Sequence, residues 1–277
     1  MVTIGNEHIT AQIRPMGAEL CSLTDASGTE FIWQAGAAWP RHSPVLFPIV
    51  GQVNGDEYRA NGKTYHLGRH GFARDREFAP WGVTQDRASF VLADDEATRA
   101  VYPFKFHLTL DYRVTGAALR LTYLIANPGD DPLPFSIGGH PAFVWPAPKD
   151  AQELIFAEPE PAPIRRLQNG LLSPVRYETP IRGQTLALSD DLFFDDALIL
   201  DQVESRAVTF GRLRLSWCNA MPQLGIWNKP GADFICIEPW AGFSDPVGYA
   251  GELAQKPGIQ LLAPGQQAEF WWEASIT

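Results

Sequence analysis

Cysteine is scarce in this chain. Cys21, Cys218 and Cys236 are the only three in 277 residues, odd in number and far apart. They make neither a disulfide framework nor a C-x-x-C metal motif, so no bound metal is expected. No apolar stretch approaches the roughly 18 residues needed to cross a bilayer. The start, Met1-Val2-Thr3-Ile4-Gly5-Asn6-Glu7-His8, lacks the basic and apolar regions of a secretory signal, and a cytoplasmic location is expected. Long runs of one charge are also missing. The net charge is −10, from 22 basic and 32 acidic residues. That balance argues against a nucleic-acid backbone or an anionic membrane surface as partner, while leaving room for a small anion held by a local arginine cluster. G-x-S-x-G, H-E-x-x-H, G-x-G-x-x-G and Walker A patterns are all absent. Hydrolase, metalloprotease and nucleotide-binding readings therefore have no anchor.

What the chain does have is turns and aromatics. Its 24 Gly and 23 Pro are scattered along the length, 12% of residues are aromatic, and nine are Trp. Frequent turns with aromatics suit a β protein. Trp faces also suit the C–H surfaces of a sugar, although core packing explains any single Trp equally well. Short strands are predicted at 2–4, 8–13, 19–24 and 31–33, the last closing an antiparallel meander. Asn61-Gly62 between Glu57–Ala60 and Lys63–Leu67 is a strong hairpin signal. Phe104, Phe106, Leu108, Leu110 and Tyr112 alternate with polar residues, which places His107 toward solvent. Three prolines make residues 39–51 an irregular buried segment, and the Pro-rich stretch 146–163 is expected to cross the surface. With no repeat and no linker, residues 1–277 are predicted to form one all-β domain, a large antiparallel β-sandwich.

The stretch Phe234-Ile235-Cys236-Ile237-Glu238-Pro239-Trp240 reads as a strand buried on both faces that runs into a carboxylate. Pro239 cannot donate to a ladder, so the strand is expected to end at or just after Glu238. A carboxylate partly desolvated beside a large aromatic has its pKa raised toward the range useful for proton transfer. In Ser136-Ile137-Gly138-Gly139-His140-Pro141 a second strand end presents His140. A His and a Glu facing each other across a cleft are the minimal set for moving protons in two directions. Arg69, His70 and Arg74 form a third cluster, with Asp75 the expected internal partner of the cations. Asp195 and Asp196 fall at the start of the apolar run to Leu200. If that strand is regular they point to opposite faces, and Asp196 can accept hydroxyl donors.

These blocks, taken in order, are similar to a known family. Trp39 to Gly51 with Arg41-His42-Ser43-Pro44, His70-Gly71-Phe72-Ala73-Arg74-Asp75, Gly138-Gly139-His140-Pro141-Ala142-Phe143, Asp196-Ala197-Leu198-Ile199 and Leu224-Gly225-Ile226-Trp227 leading to Glu238-Pro239-Trp240 together resemble the aldose 1-epimerase (galactose mutarotase) family over nearly the whole chain. The resemblance implies a galactose mutarotase-like supersandwich with an open cleft on one face. It makes His140 the general acid and Glu238 the general base of anomer interconversion. It makes His70 a substrate-binding residue, Asp196 the holder of sugar hydroxyls, and Arg41 and Arg74 cations near the cleft. It implies a small-molecule sugar substrate, an aldohexose with or without a phosphate, no cofactor, and a monomer or homodimer. The Asn-Arg pairing of galactose-specific members is absent, so galactose preference is not implied. Related hexose-6-phosphate mutarotases use arginines for the phosphate, a role open to Arg41, Arg69 and Arg74. A non-catalytic sugar-binding or sensing protein is the alternative from another class. A glycosidase fits less well, because it needs two suitably placed carboxylates.

Overall fold

Alternating apolar and polar residues dominate the chain, and the computed structural model, which describes all 277 residues, is built from antiparallel sheets. The largest has nine strands. Its centre is the trio His107–Thr115, Ala118–Ala126 and Gln267–Ile276, paired in continuous register. Leu108, Leu110, Tyr112, Leu121, Tyr123 and Trp272 point from it into the core, whereas His107 is exposed, as its register predicts. A second sheet carries the strands Leu198–Leu200, Gln223–Trp227, Phe234–Ala241, Ile137–Gly139 and Val45–Leu46 in that order, with Ala142–Val144 also pairing to Phe234–Ala241. Inward residues of both sheets join one cluster of 63 buried side chains that runs from Ile4 to Ile276. The two sheets approach closely at Gly139. A Cβ there would stand 2.6 Å from Trp272 Nε1 and 2.9 Å from the Tyr123 hydroxyl, so only glycine fits. The six-residue helix Glu96–Val101, capped by Asp95, is the one α-helix, and no helix is long and apolar enough to cross a membrane.

Four sequence expectations need correction. The N-terminal meander has three strands, Val2–Gly5, Ile9–Arg14 and Glu19–Asp25; Ile32 instead bridges to Phe143 in the second sheet. The stretch 146–163 is not all surface crossing, since Glu153–Phe156 is a paired strand of the large sheet with Leu154 and Phe156 buried. Asp195 and Asp196 precede their strand rather than start it: a 3-10 turn covers Asp190–Phe193, Asp196 has φ +67°, and the strand begins at Leu198. The strand through Glu238 continues through Pro239 to Ala241. Proline is tolerated there because it lies opposite the break between Ile137–Gly139 and Ala142–Val144. At that break the chain turns away and His140 N bonds to Pro44 O.

The irregular segment after Trp39 is buried as expected, with Val45–Leu46 its one strand, at the sheet edge, and Phe47 bridging to Gly71. Its entry is anchored by Glu19, which is 1% exposed. One Glu19 oxygen accepts from His42 N at 2.8 Å and Ser43 N at 2.9 Å, and the other pairs with Arg14. Glu19→Ala strands two backbone N–H groups and the arginine. It is expected to cost about 3 kcal/mol, read as a lower urea midpoint at unchanged m-value. A midpoint equal to wild type would remove this anchor from the account.

Candidate active site

The Phe234–Ala241 strand is buried along its whole length, but its two faces do different things. Ile235, Ile237 and Ala241 join the main core. Glu238 and Trp240, on the other face, line a cavity of about 250 Å³. Two glycines on the flanking strands make room for the indole. A Cβ on Gly138 would stand 2.5 Å from Trp240 Cδ1, and one on Gly225 would run into the far edge of the ring. Gly225 is also the residue paired directly opposite Glu238.

His140 enters from the strand break beside Glu238. The two do not face each other across an open cleft: His140 Nε2 touches Glu238 Oε2 at 3.4 Å. Glu238 Oε2 and His140 Nδ1 are buried and bond to no other protein group. The imidazole stacks on Trp39 with ring centroids 4.8 Å apart, and meets Trp227 and His70 edge-on at 5.8 and 5.6 Å. Burial raises the Glu238 carboxyl well above the usual carboxylate range, and the charge of Asp196 adds to the effect. Burial lowers His140 to about 3, helped by the positive charge of Arg74. Burial thus favours the protonated carboxyl and the neutral imidazole over their charged forms. Each is a buried group whose proton is easily redistributed by a polar ligand.

His70 and Gly71 both take left-handed backbone, φ +67° and +69°, and a Cβ on Gly71 would collide with Phe47 O. The turn brings the His70 ring against the main chain of Gly51. Gly51 N donates to His70 Nδ1 at 3.1 Å, and His70 N donates to Gly51 O at 2.6 Å. Because Nδ1 accepts, the neutral ring carries its hydrogen on Nε2 and offers a donor to the cleft. Burial and the neighbouring His140 and arginines push its pKa well down, which keeps that form. Asp196 lines the same cavity. Its loop is held by Arg166, whose Nη1 donates to the Leu192 and Asp196 carbonyls at 2.8 and 2.9 Å.

Of the sequence candidates, the fold brings His70, Arg74, His140, Asp196 and Glu238 to one cavity, together with Arg69. Arg41 is not in its lining. Arg41 Nη2 donates to Asp75 Oδ1 at 2.9 Å, and Arg74 Nε lies 3.6 Å from the same carboxylate. Sequence reasoning did not assign Trp39, Trp227 or Leu167 to the site, although all three line it. Tryptophans in the first and last motif blocks were the available signal, but composition alone does not separate a wall residue from a core one. His140, Cys236 and Glu238 also bring donor atoms within 4.8 Å of one another. Burial holds the Cys236 thiol protonated, well above its usual pKa, and raises the Glu238 carboxyl too, which disfavours the anionic forms that bind a metal.

The comparisons with known proteins agree on one family. The family described as Aldose 1-epimerase matches residues 1–275. The chromosomal protein LacX of Lactococcus lactis subsp. lactis is 30% identical over 297 residues, covering 99% of each chain. A galactose mutarotase related enzyme from Lactobacillus acidophilus superposes with TM-score 0.91 at 35% identity, over 99% of this chain and 96% of its own. A galactose mutarotase-like protein from Lactobacillus casei superposes with TM-score 0.93 at 29% identity, over the full length of both. This chain belongs to the aldose 1-epimerase family.

Proposed function

We propose that this chain is a mutarotase that interconverts the α- and β-anomers of an aldohexose, with His140 and Glu238 as its acid–base pair. The observation that carries the reading is the buried contact of His140 Nε2 with Glu238 Oε2 in a cavity walled by tryptophans. Anomer exchange opens a hemiacetal: the C1 hydroxyl loses a proton and the ring oxygen gains one. Both oxygens sit on C1, so two groups 3.4 Å apart can serve them together. Without a sugar hydroxyl against it, the buried Glu238 carboxyl keeps the pair's proton. Transfer across the contact gives carboxylate and imidazolium. Glu238 then takes the C1 hydroxyl proton while His140 Nε2 gives one to the ring oxygen. The aldehyde rotates about C1–C2 and recloses on its other face with the roles reversed. One proton within the pair suffices for the cycle, with no redox change and no covalent intermediate. In this reading His70 Nε2–H and Asp196, which line the same cavity, hold the remaining hydroxyls, one as donor and one as acceptor.

A second reading, exchange on a sugar phosphate, is favoured by the arginines. Arg69 lines the cavity and donates only to Gln52 Oε1 at 3.4 Å, while Arg41 and Arg74 share the single carboxylate of Asp75. Anomer-exchange NMR of the purified protein with glucose, galactose and glucose 6-phosphate tests both. Exchange faster than buffer on a free hexose supports the first, and acceleration confined to the ester supports the second. A sugar that binds without faster exchange would reduce the chain to a sugar-binding protein.

The pair also sets the pH dependence. Activity requires one proton on the two residues. A second proton adds to His140 only as pH falls toward about 3, and the first leaves only above the raised Glu238 value. The profile of kcat/KM is therefore expected to have its acid limb far below the ordinary histidine pKa of about 6.5 and its alkaline limb above the ordinary carboxylate range. An acid limb near that ordinary value would contradict the single-proton pair.

A further inference from the structure

Beside the cleft lies a larger groove, of about 880 Å³, that the acid–base chemistry does not use. The wall between them is the short hairpin Leu167–Gln168 and Leu171–Leu172. Leu167 and Asp196 line both cavities, so the two adjoin at the side of the site where the proposed reading holds sugar hydroxyls. The hairpin turn, Asn169 at φ +52° and Gly170 at φ +83°, is pinned beside the cleft. A Cβ on Gly170 would stand 2.6 Å from Arg69 Nη2. Across the groove, Phe194 is 72% exposed and Tyr177 is 43% exposed. With Val175, three of the ten large apolar side chains that the fold leaves in water line this one groove. Asp195, Gln168 and Asn169 add hydrogen-bonding groups to the same lining. Exposed aromatic faces among short polar side chains match a pyranose, which has C–H faces and a hydroxyl rim.

We infer that the groove is a subsite for a second sugar residue, and that the substrate is the reducing end of a di- or oligosaccharide. The inference rests on the mutarotase reading. Mutarotation requires C1 to carry a free hydroxyl but places no such demand on the other positions. A glycosidic link at a hydroxyl near Asp196 would lead the next ring past Leu167 into the groove. There its C–H face packs on Phe194 or Tyr177, and its hydroxyls meet Gln168, Asn169 and Asp195. The separation of duties is physical: the reacting ring is enclosed by the tryptophan-walled cavity, and the second ring is bound by surface that takes no part in proton transfer.

The test compares anomer exchange on glucose and galactose with that on maltose, cellobiose and lactose, for wild type, Phe194→Ala and Tyr177→Ala. Both aromatic side chains are exposed, so the variants are expected to fold. At least one disaccharide should have a KM lower than its reducing-end monosaccharide by about fivefold or more, from the aromatic area covered. That advantage should vanish in one or both variants while exchange on the monosaccharide keeps its wild-type rate. Monosaccharide exchange with no disaccharide preference, or a preference that survives both variants, would overturn the subsite alone. Exchange of no sugar faster than buffer would overturn the mutarotase reading and the subsite with it.

Discussion

Glu238→Gln is expected to lower kcat/KM for anomer exchange by about 10²–10⁴-fold, or roughly 3–5 kcal/mol of barrier. The amide has the shape and nearly the volume of the protonated carboxyl that burial favours, so the Trp240 and His140 contacts survive. What is lost is the ability to pass a proton. Stability should not fall with activity. Burial penalises the charged form of Glu238, and that penalty is absent for a neutral amide. The melting temperature is therefore expected to be unchanged or higher, and the sugar dissociation constant to change only a few-fold. Loss of activity together with loss of fold would leave Glu238 as a packing residue. Activity near wild type would remove it from the chemistry.

How far the sequence carries a reader depends on whether local pattern or tertiary approach decides a residue's place. The Asn61-Gly62 turn is local: φ values of +52° and +74° are what a two-residue hairpin loop demands, and both flanking strands form as predicted. The alternation from Phe104 to Tyr112 is local as well, and all five apolar residues are buried. Strand 234–241 is legible as buried but not as two-faced, because, Glu238 apart, the residues of its two faces are equally apolar. Pro239 misleads for a related reason. Its missing N–H matters only if the neighbouring strand is intact at that point, and it is not. Asp196 is displaced from the predicted strand because its left-handed turn depends on Arg166 holding the loop carbonyls, a residue 30 positions away. The tryptophans of the cleft wall are the hardest case. Trp39 and Trp227 come to His140 from separate segments, and nothing in either segment says that the ring faces a cavity.

His140→Asn is expected to cost about 10²–10⁴-fold in kcat/KM, comparable to Glu238→Gln, and the informative result is their combination. If the two residues contributed separately, the double variant would show the product of the single losses. In the proposed cycle they do not act separately. One proton would serve both oxygens of the hemiacetal carbon, moving between groups 3.4 Å apart. Removing either partner already leaves the proton with no way to return. The other partner's contribution is then lost as well, so the double variant should be no worse than the poorer single one. Trp39 provides the control for packing. Its ring loses the stacked imidazole in His140→Asn, and any effect of that loosening should appear in sugar affinity rather than turnover. Exchange NMR on the four proteins, with the buffer rate subtracted, gives the coupling directly. Multiplicative losses would mean that each residue has its own proton source, and the shared-proton cycle would have to be abandoned.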